Sequence, residues 1–326
     1  MDAQLHFRGP CHAQAHHGQR GAALLTAMII VTLVVTLAAA MVWQQWRAVQ
    51  VETAERARTQ AAWILSGALD WARLILKEDL RSNRPTALTE PWATPLAEAR
   101  LSTFLATDKS NADDAPEAFL SGAISDAQAR FNLTNLVTQG KVDPVELAAL
   151  ERLCLAAGLE SSVAQRIAGG LRDAKALPGS AGAGANAPLL PQSLQQLAWL
   201  GLDESSLGAL APYVVLLPVA TPVNVNTASR EVLVGAIEGL DLATAERVLQ
   251  RRQSGAFKDL DAFKAQLGGL DISKAKLAVM SSFFEVRGSI RLQDRVLVER
   301  SLVQRLNGDV IVIRRERIAS LEQAGS

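Results

Sequence analysis

The stretch AALLTAMIIVTLVVTLAAAMVWQQW, residues 22–46, runs for twenty-five residues without a charge and is mostly Ala, Leu, Ile, Val and Met. As a helix rising about 1.5 Å per residue it spans roughly 37 Å, enough to cross a hydrocarbon core of about 30 Å. Arg8 and Arg20 precede it, whereas Arg47, Glu52, Glu55 and Arg56 follow as a mixture, so the positive-inside bias places the N-terminus in the cytoplasm. Ala38-Ala39-Ala40 has the small residues of a secretory cleavage site, but the apolar run continues past it through Met41, Val42, Trp43 and Trp46. Further on, Ala54, Ala57, Ala61, Ile64, Leu65, Ala68, Ala72, Leu76 and Leu80 recur at helical spacing. The pattern predicts one helix from Ala22 to Leu80: residues 22–46 in lipid, and a continuation over 47–84 packed along a globular domain. Arg81-Ser82-Asn83-Arg84-Pro85 is its stop.

The whole chain has 326 residues, room for an anchor and about two folded units. Its 33 basic and 33 acidic residues cancel, so the overall balance marks out no polyanionic partner. All four histidines, His6, His12, His16 and His17, precede the apolar run. Removal of that leader leaves no histidine, which argues against His-dependent hydrolase or zinc chemistry. Of the two cysteines, Cys11 lies in the leader and Cys154 far inside, so the processed chain holds no disulfide. Leu147, Leu150, Cys154 and Ala157 share one helical face, and a buried, inert thiol is expected there.

Residues 85–116, rich in Pro, Thr, Ala and Asp, read as an extended connection, and Phe119 to Leu133 as strand with a turn at Ser125-Asp126. Asp143-Pro144-Val145-Glu146 combines an N-cap, a first-turn proline and a glutamate, a strong helix start. That helix is expected to end near Gly158, and a second to run from Ser161 to Asp173. A flexible Pro/Gly/Ala loop over 177–191 comes next. Short helices are expected at Gln192 to Leu200, Glu204 to Leu210, Thr227 to Ala236, Ala243 to Arg252, Leu260 to Leu267 and Ser273 to Val279. Strand character returns at Phe283, and Asn307-Gly308 between Val296-Leu297-Val298 and Val310-Ile311-Val312-Ile313 signals a hairpin. The order is long helix, strand, many short helices and strands again, as when a helical domain is inserted into a sheet.

Gln19-Arg20-Gly21 before Ala22-Ala23-Leu24-Leu25-Thr26 resembles a type IV prepilin signal. The resemblance implies cleavage by a prepilin peptidase between Gly21 and Ala22, retention of the apolar helix, and methylation of the new N-terminal residue. Most pilins and pseudopilins carry glutamate at the fifth mature position, where it pairs with a neighbour's amine at low dielectric. Here Thr26 stands there. An unpaired carboxylate in lipid is costly, so its absence suits a subunit with none above it. In this, and in the interrupted sheet, the chain resembles the K-type minor pseudopilins of type II secretion systems (the GspK family).

That resemblance implies an α+β fold, with a pilin-like long N-terminal helix on a small antiparallel sheet. The sheet carries a large all-α insertion of helix-hairpin-helix or SAM-like units. The expected division is leader 1–21, transmembrane helix 22–46, helix continuation 47–84, sheet domain 85–133 with 281–316, inserted α domain 134–280, and tail 317–326. It also implies I-type and J-type minor pseudopilins as partners, and contact with secreted substrate or the outer-membrane channel at a pseudopilus tip. The location implied is the inner membrane, single-pass, with most of the chain periplasmic.

Asp126-Ala-Gln-Ala-Arg130-Phe131-Asn132-Leu133-Thr134-Asn135-Leu136 resembles the family segment entering the insertion, and Val223-Asn224-Val225-Asn226-Thr227-Ala228 repeats its pattern. Asparagine and threonine here read as caps and turn ties rather than ligand contacts. The segment from Asn226 through Gly239-Leu240-Asp241, Ala245, Val248, Arg252, Gly255 and Phe257 resembles a helix-hairpin-helix unit, which makes a competence-receptor-like DNA-binding protein the second reading. Asp241 replaces the second glycine of the DNA-binding form and sets a negative charge where phosphate would lie, which argues against nucleic acid.

Calcium is the ion the resemblance implies, through an aspartate-rich segment after the insertion's second helix. At that place this chain has only Asp173, flanked by Arg172 and Lys175, so the site is not carried over. The pair Asp113-Asp114 and the acids Asp259 and Asp261 read as turns and caps. The chain lacks Gly-x-Ser-x-Gly, His-Glu-x-x-His and phosphate-loop motifs. No enzyme and no cofactor are expected.

Overall fold

The computed structural model describes residues 20–101, 118–176, 188–292 and 295–318. The leader residues His6, Arg8, Cys11, His12, His16, His17 and Gln19, the acids Asp113 and Asp114, the loop over 177–187 and the tail from 319 lie outside the described residues. The chain falls into two units, Met1–Gln60 and Ala61–Ser326.

Helix α1 (Arg20–Arg81) carries the apolar stretch. In the first unit Leu24, Ile29, Leu33, Trp43 and Trp46 are all exposed, and the helix is long and apolar enough to cross a membrane. The hydroxyls of Thr26, Thr32 and Thr36 are satisfied within the helix, each donating to a carbonyl three or four positions back. In the second unit Ala61, Leu65, Leu69, Ala72 and Leu76 are buried, the 3-and-4 spacing of one helix face. The helix stops as Asn83 turns to φ 50°, before Pro85.

Strands β1 (Leu96–Arg100) and β2 (Ala118–Asp126) follow. The extended connection expected over 85–116 is thus corrected: it holds a 3₁₀ turn at Pro91–Ala93 and an edge strand. Trp92 anchors it, buried against Phe284 with ring centroids 5.2 Å apart.

The insertion begins with β3 (Phe131–Asn132), β4 (Val137–Thr138) and β5 (Lys141–Val142). Helices α2 (Pro144–Ala156) and α3 (Ser161–Lys175) come next. A 3₁₀ segment (Leu194–Leu200), α4 (Glu204–Leu210), β6 (Val214–Val215) and β7 (Val223–Asn224) precede α5 (Arg230–Ala236), α6 (Leu242–Gln253) and α7 (Leu260–Lys264). Strand β8 (Leu277–Ala278) closes it before β9 (Phe283–Leu292), β10 (Arg295–Leu306) and β11 (Asp309–Ile318) complete the sheet.

The five-stranded sheet is antiparallel in the order β1-β2-β9-β10-β11. β2 and β9 are neighbours, so everything between Asp126 and Phe283 is inserted between two paired strands. One sheet face meets α1: Leu69, Ala72 and Leu76 pack with Phe284, Val286, Val303 and Val310, and Ala61 and Leu65 with Leu120, Ile290 and Leu292. Each such leucine contributes about 1.5–3 kcal/mol on burial. The other face, near Phe283, lies under Ala127, Val215 and Leu217. Asn307 and Gly308, at φ 52° and 80°, make the two-residue hairpin turn between β10 and β11.

Two further expectations change. Phe131 and Leu133, assigned by pattern to the sheet domain, belong to the insertion's core, because Phe131-Asn132 pairs with Val214-Val215 and not with the sheet. Ser273 to Val279 is not a helix: Leu277-Ala278 pairs in parallel with Val223-Asn224, and that pairing overrides the helical pattern.

Candidate functional site

Two places combine the residues singled out in the sequence. The first is the start of α1, where Gly21 and Ala22 are both helical. Thr26 Oγ1 donates to Ala22 O at 2.8 Å and Ala23 O at 3.0 Å, so its hydroxyl is satisfied within its own helix.

The second is the junction where the chain leaves the sheet. Asp126, at the end of β2, is 4% exposed. Its Oδ1 accepts from Gln128 N at 2.8 Å, and its Oδ2 from Ser281 Oγ at 2.6 Å, Thr227 Oγ1 at 2.6 Å and Asn224 Nδ2 at 3.0 Å. One carboxylate therefore joins the strand leaving the sheet, the middle of the insertion, and the segment returning to β9. No cation is among these partners, and burial pushes the Asp126 carboxyl above its ordinary value despite the four donors. Gln128 ties the same segments, accepting from Ser282 N at 2.6 Å and donating to Pro222 O at 3.1 Å.

The network reaches α1. Thr86 N donates to Val279 O at 3.0 Å, and Thr86 Oγ1 accepts from Ser281 N at 3.1 Å and from Arg305 Nη1 at 3.4 Å. The other arm of Arg305 pairs with Asp79 on α1, and its guanidinium lies 4.4 Å from the Phe284 ring centre. Thr86, Ser281 and Arg305 carry no local signal in the sequence, and Gln128 lies in the Asp126–Leu136 segment with nothing there to name its partners. Only hydrogen bonds between residues far apart in the chain reveal them.

The repeated Asn motif proves to be a repeated geometry. Asn132 Oδ1 and Asn224 Oδ1 each accept the amide two residues on, at 3.0 Å. Three residues after Asn132, Asn135 clamps Thr221, donating to its carbonyl at 2.9 Å and accepting its amide at 3.0 Å. Two residues after Asn224, Asn226 clamps Phe257 in the same way, at 3.0 and 2.8 Å. These asparagines stand in for ladder partners, in line with the capping and turn reading. In the second repeat α5 and α6 meet through a tight turn with Gly239 at φ 80°. The Asp241 carboxylate caps α6, accepting from Thr244 N at 2.8 Å and Thr244 Oγ1 at 2.9 Å. Those hydrogen bonds lower its carboxyl from the ordinary value. A negative group thus fills the helix start that a phosphate would need.

Asp173 does not fit a calcium site. Its Oδ1 accepts both Nε and Nη2 of Arg172, at 2.9 and 2.8 Å, and among the described residues no three His, Cys, Asp or Glu side chains cluster as ligands. Asp259 caps α7 through Ala262 N at 2.7 Å. Cys154 is buried, and burial pushes its thiol up to about 11, a poor nucleophile.

The two repeats coincide with two family models, both described as type II secretion system protein K, matching residues 129–219 and 223–284. Over nearly its whole length the chain is similar to type II secretion system protein K of Pseudomonas aeruginosa, 30% identical over 92% of this chain and 93% of that protein. The chain belongs to the protein K family. It is thus a minor pseudopilin of type II secretion, and the apolar α1 is its membrane anchor. The protein K of Klebsiella pneumoniae is also 30% identical, over 87% of this chain and 94% of the relative. In fold the present chain matches a chain of the crystal structure of the GspK-GspI-GspJ complex from enterotoxigenic Escherichia coli. The TM-score is 0.64 at 23% identity, over 82% of this chain and 99% of that one.

Proposed function

We propose that this protein K is cut between Gly21 and Ala22 and takes its place at the tip of the periplasmic pseudopilus. It sits in the inner membrane as a single-pass protein with a cytoplasmic N-terminus before processing and its bulk in the periplasm. The observation that carries the reading is Thr26: the position where related subunits hold a pairing glutamate has a hydroxyl already satisfied by Ala22 and Ala23. A helix start that asks nothing of a neighbour above it suits the last subunit in a stack. I-type and J-type minor pseudopilins are its partners in this reading, as the solved relative was captured in a GspK-GspI-GspJ complex. Its role is assembly, without catalysis and without a bound ion. The tip contacts secreted substrate or the outer-membrane channel.

The α5-turn-α6 unit is a helix-hairpin-helix used as scaffold, because the Asp241 carboxylate occupies its anion-facing end. Co-expression with the I-type and J-type subunits of the same secretion system tests the proposal. Recovery of one complex containing all three supports it. Failure of the full chain to associate with either subunit, or binding of labelled duplex DNA at low salt, overturns it.

A further inference from the structure

We infer that the free edge of β11 is a docking strand for an extended, acidic segment of another protein. Among the described residues no strand pairs with the outer edge of β11, the last strand of the sheet. The end of β11 next to the hairpin is already occupied, since Arg73 Nε of α1 donates to Val310 O at 2.8 Å and Lys77 Nζ lies 3.2 Å from Asp309 Oδ1. A bulge between Val312 and Arg314 then interrupts the ladder. Beyond it Arg314 to Ile318 pair with Leu302 to Val298 in regular register, leaving a five-residue edge of backbone donors and acceptors.

The charge on that edge selects its occupant. On the face toward α1, Glu299 is shared by Arg315 at 3.1 Å and Arg317 at 3.9 Å. On the opposite face, Glu316 is shared by Arg300 at 3.1 Å and Arg314 at 2.8 Å, and Arg314 also donates to Gln192 O. Four arginines against two glutamates leave one positive charge in excess on each face. Arg287, the cross-strand neighbour of Arg300, is exposed and adds to the second face. Pairing of two copies edge to edge would set these arginines against each other, which is unfavourable. A strand carrying acids on both of its faces meets the excess, while main-chain hydrogen bonds supply the rest of the affinity.

The test uses the full chain in detergent micelles with two blocked hexapeptides, Glu-Glu-Val-Val-Glu-Glu, which sets acids on both faces of a strand, and its counterpart with lysine in place of each glutamate. The glutamate peptide is expected to slow amide exchange in residues 314–318 and to bind about tenfold tighter than the lysine peptide, as two or three cross-strand charge pairs would supply. Arg314→Gln, which leaves the buried Glu299 pair untouched, should narrow that ratio severalfold with the fold intact. A glutamate peptide N-methylated on every residue, with neither edge left to donate, should lose binding. Equal binding of the two peptides, protection elsewhere in the chain, or self-association through this edge overturns the inference.

Discussion

The Asp126 carboxylate accepts the Ser281 hydroxyl at 2.6 Å across 155 positions of sequence, closing the mouth of the insertion where it leaves and rejoins the sheet. The same oxygen takes Thr227 and Asn224. A domain inserted between two paired strands hangs on two crossing points, and this carboxylate binds both.

Asp126→Ala should therefore cost about 2–4 kcal/mol in urea unfolding, since several buried donors lose their acceptor together. Asp126→Asn tests the charge. Burial raises the native carboxyl above its ordinary value of 3.8. Between that value and the raised one, the folded chain holds more proton than the unfolded one. The contribution from this group is fully present below about pH 4 and is lost as pH rises through the native value. The cost of Asp126→Asn should shrink from about pH 4 toward neutrality. A cost that grows with pH contradicts the assignment.

Arg305 and Asp79 form a pair in which both side chains are largely buried. Removing either alone, by Arg305→Ala or Asp79→Ala, should destabilise by roughly 3 kcal/mol because the other charge is stranded. The double variant should cost much less than the sum, and full additivity would show that the two do not act as a pair.

Gly235 on α5 faces Leu153 of α2 so closely that an added Cβ would lie 2.4 Å from two of its side-chain carbons. Gly235→Ala should cost about 1–3 kcal/mol through overpacking. Adding Leu153→Ala to it should recover part of the loss. If Leu153→Ala instead adds its full cavity cost, the contact is not the cause.

Thr26→Val should leave processing, assembly and secretion unchanged, because the hydroxyl serves only carbonyls of its own helix. A secretion defect in Thr26→Val, measured by export of a folded substrate, would mean that the hydroxyl meets another subunit.

The legible parts of the fold are those whose cause is local. Asp143 before Pro144 caps α2 through Val145 N at 3.0 Å, Asn307-Gly308 turns the last hairpin, and the α1 stripe lies on the sheet. The edge strand Leu96–Arg100 was hidden in a proline-rich stretch because only its pairing with β2 makes it a strand. Leu277-Ala278 looked helical for a like reason, its state being set by Val223-Asn224 over fifty positions away. At the junction, the local pattern around Asn132, Asn224 and Thr227 announced turns. The convergence of Asn224, Thr227 and Ser281 on Asp126, with Thr86 and Arg305 beside them, depends on the closed fold.

The proposed place in the pseudopilus requires a processed helix that begins at Ala22. Its most direct test is mass-spectrometric sequencing of the mature N-terminus after co-expression of the full chain with a prepilin peptidase. The expected product is a chain starting at N-methylated Ala22 and containing no histidine. A retained leader, or a start beyond Ala40 as an ordinary secretory signal would give, contradicts it.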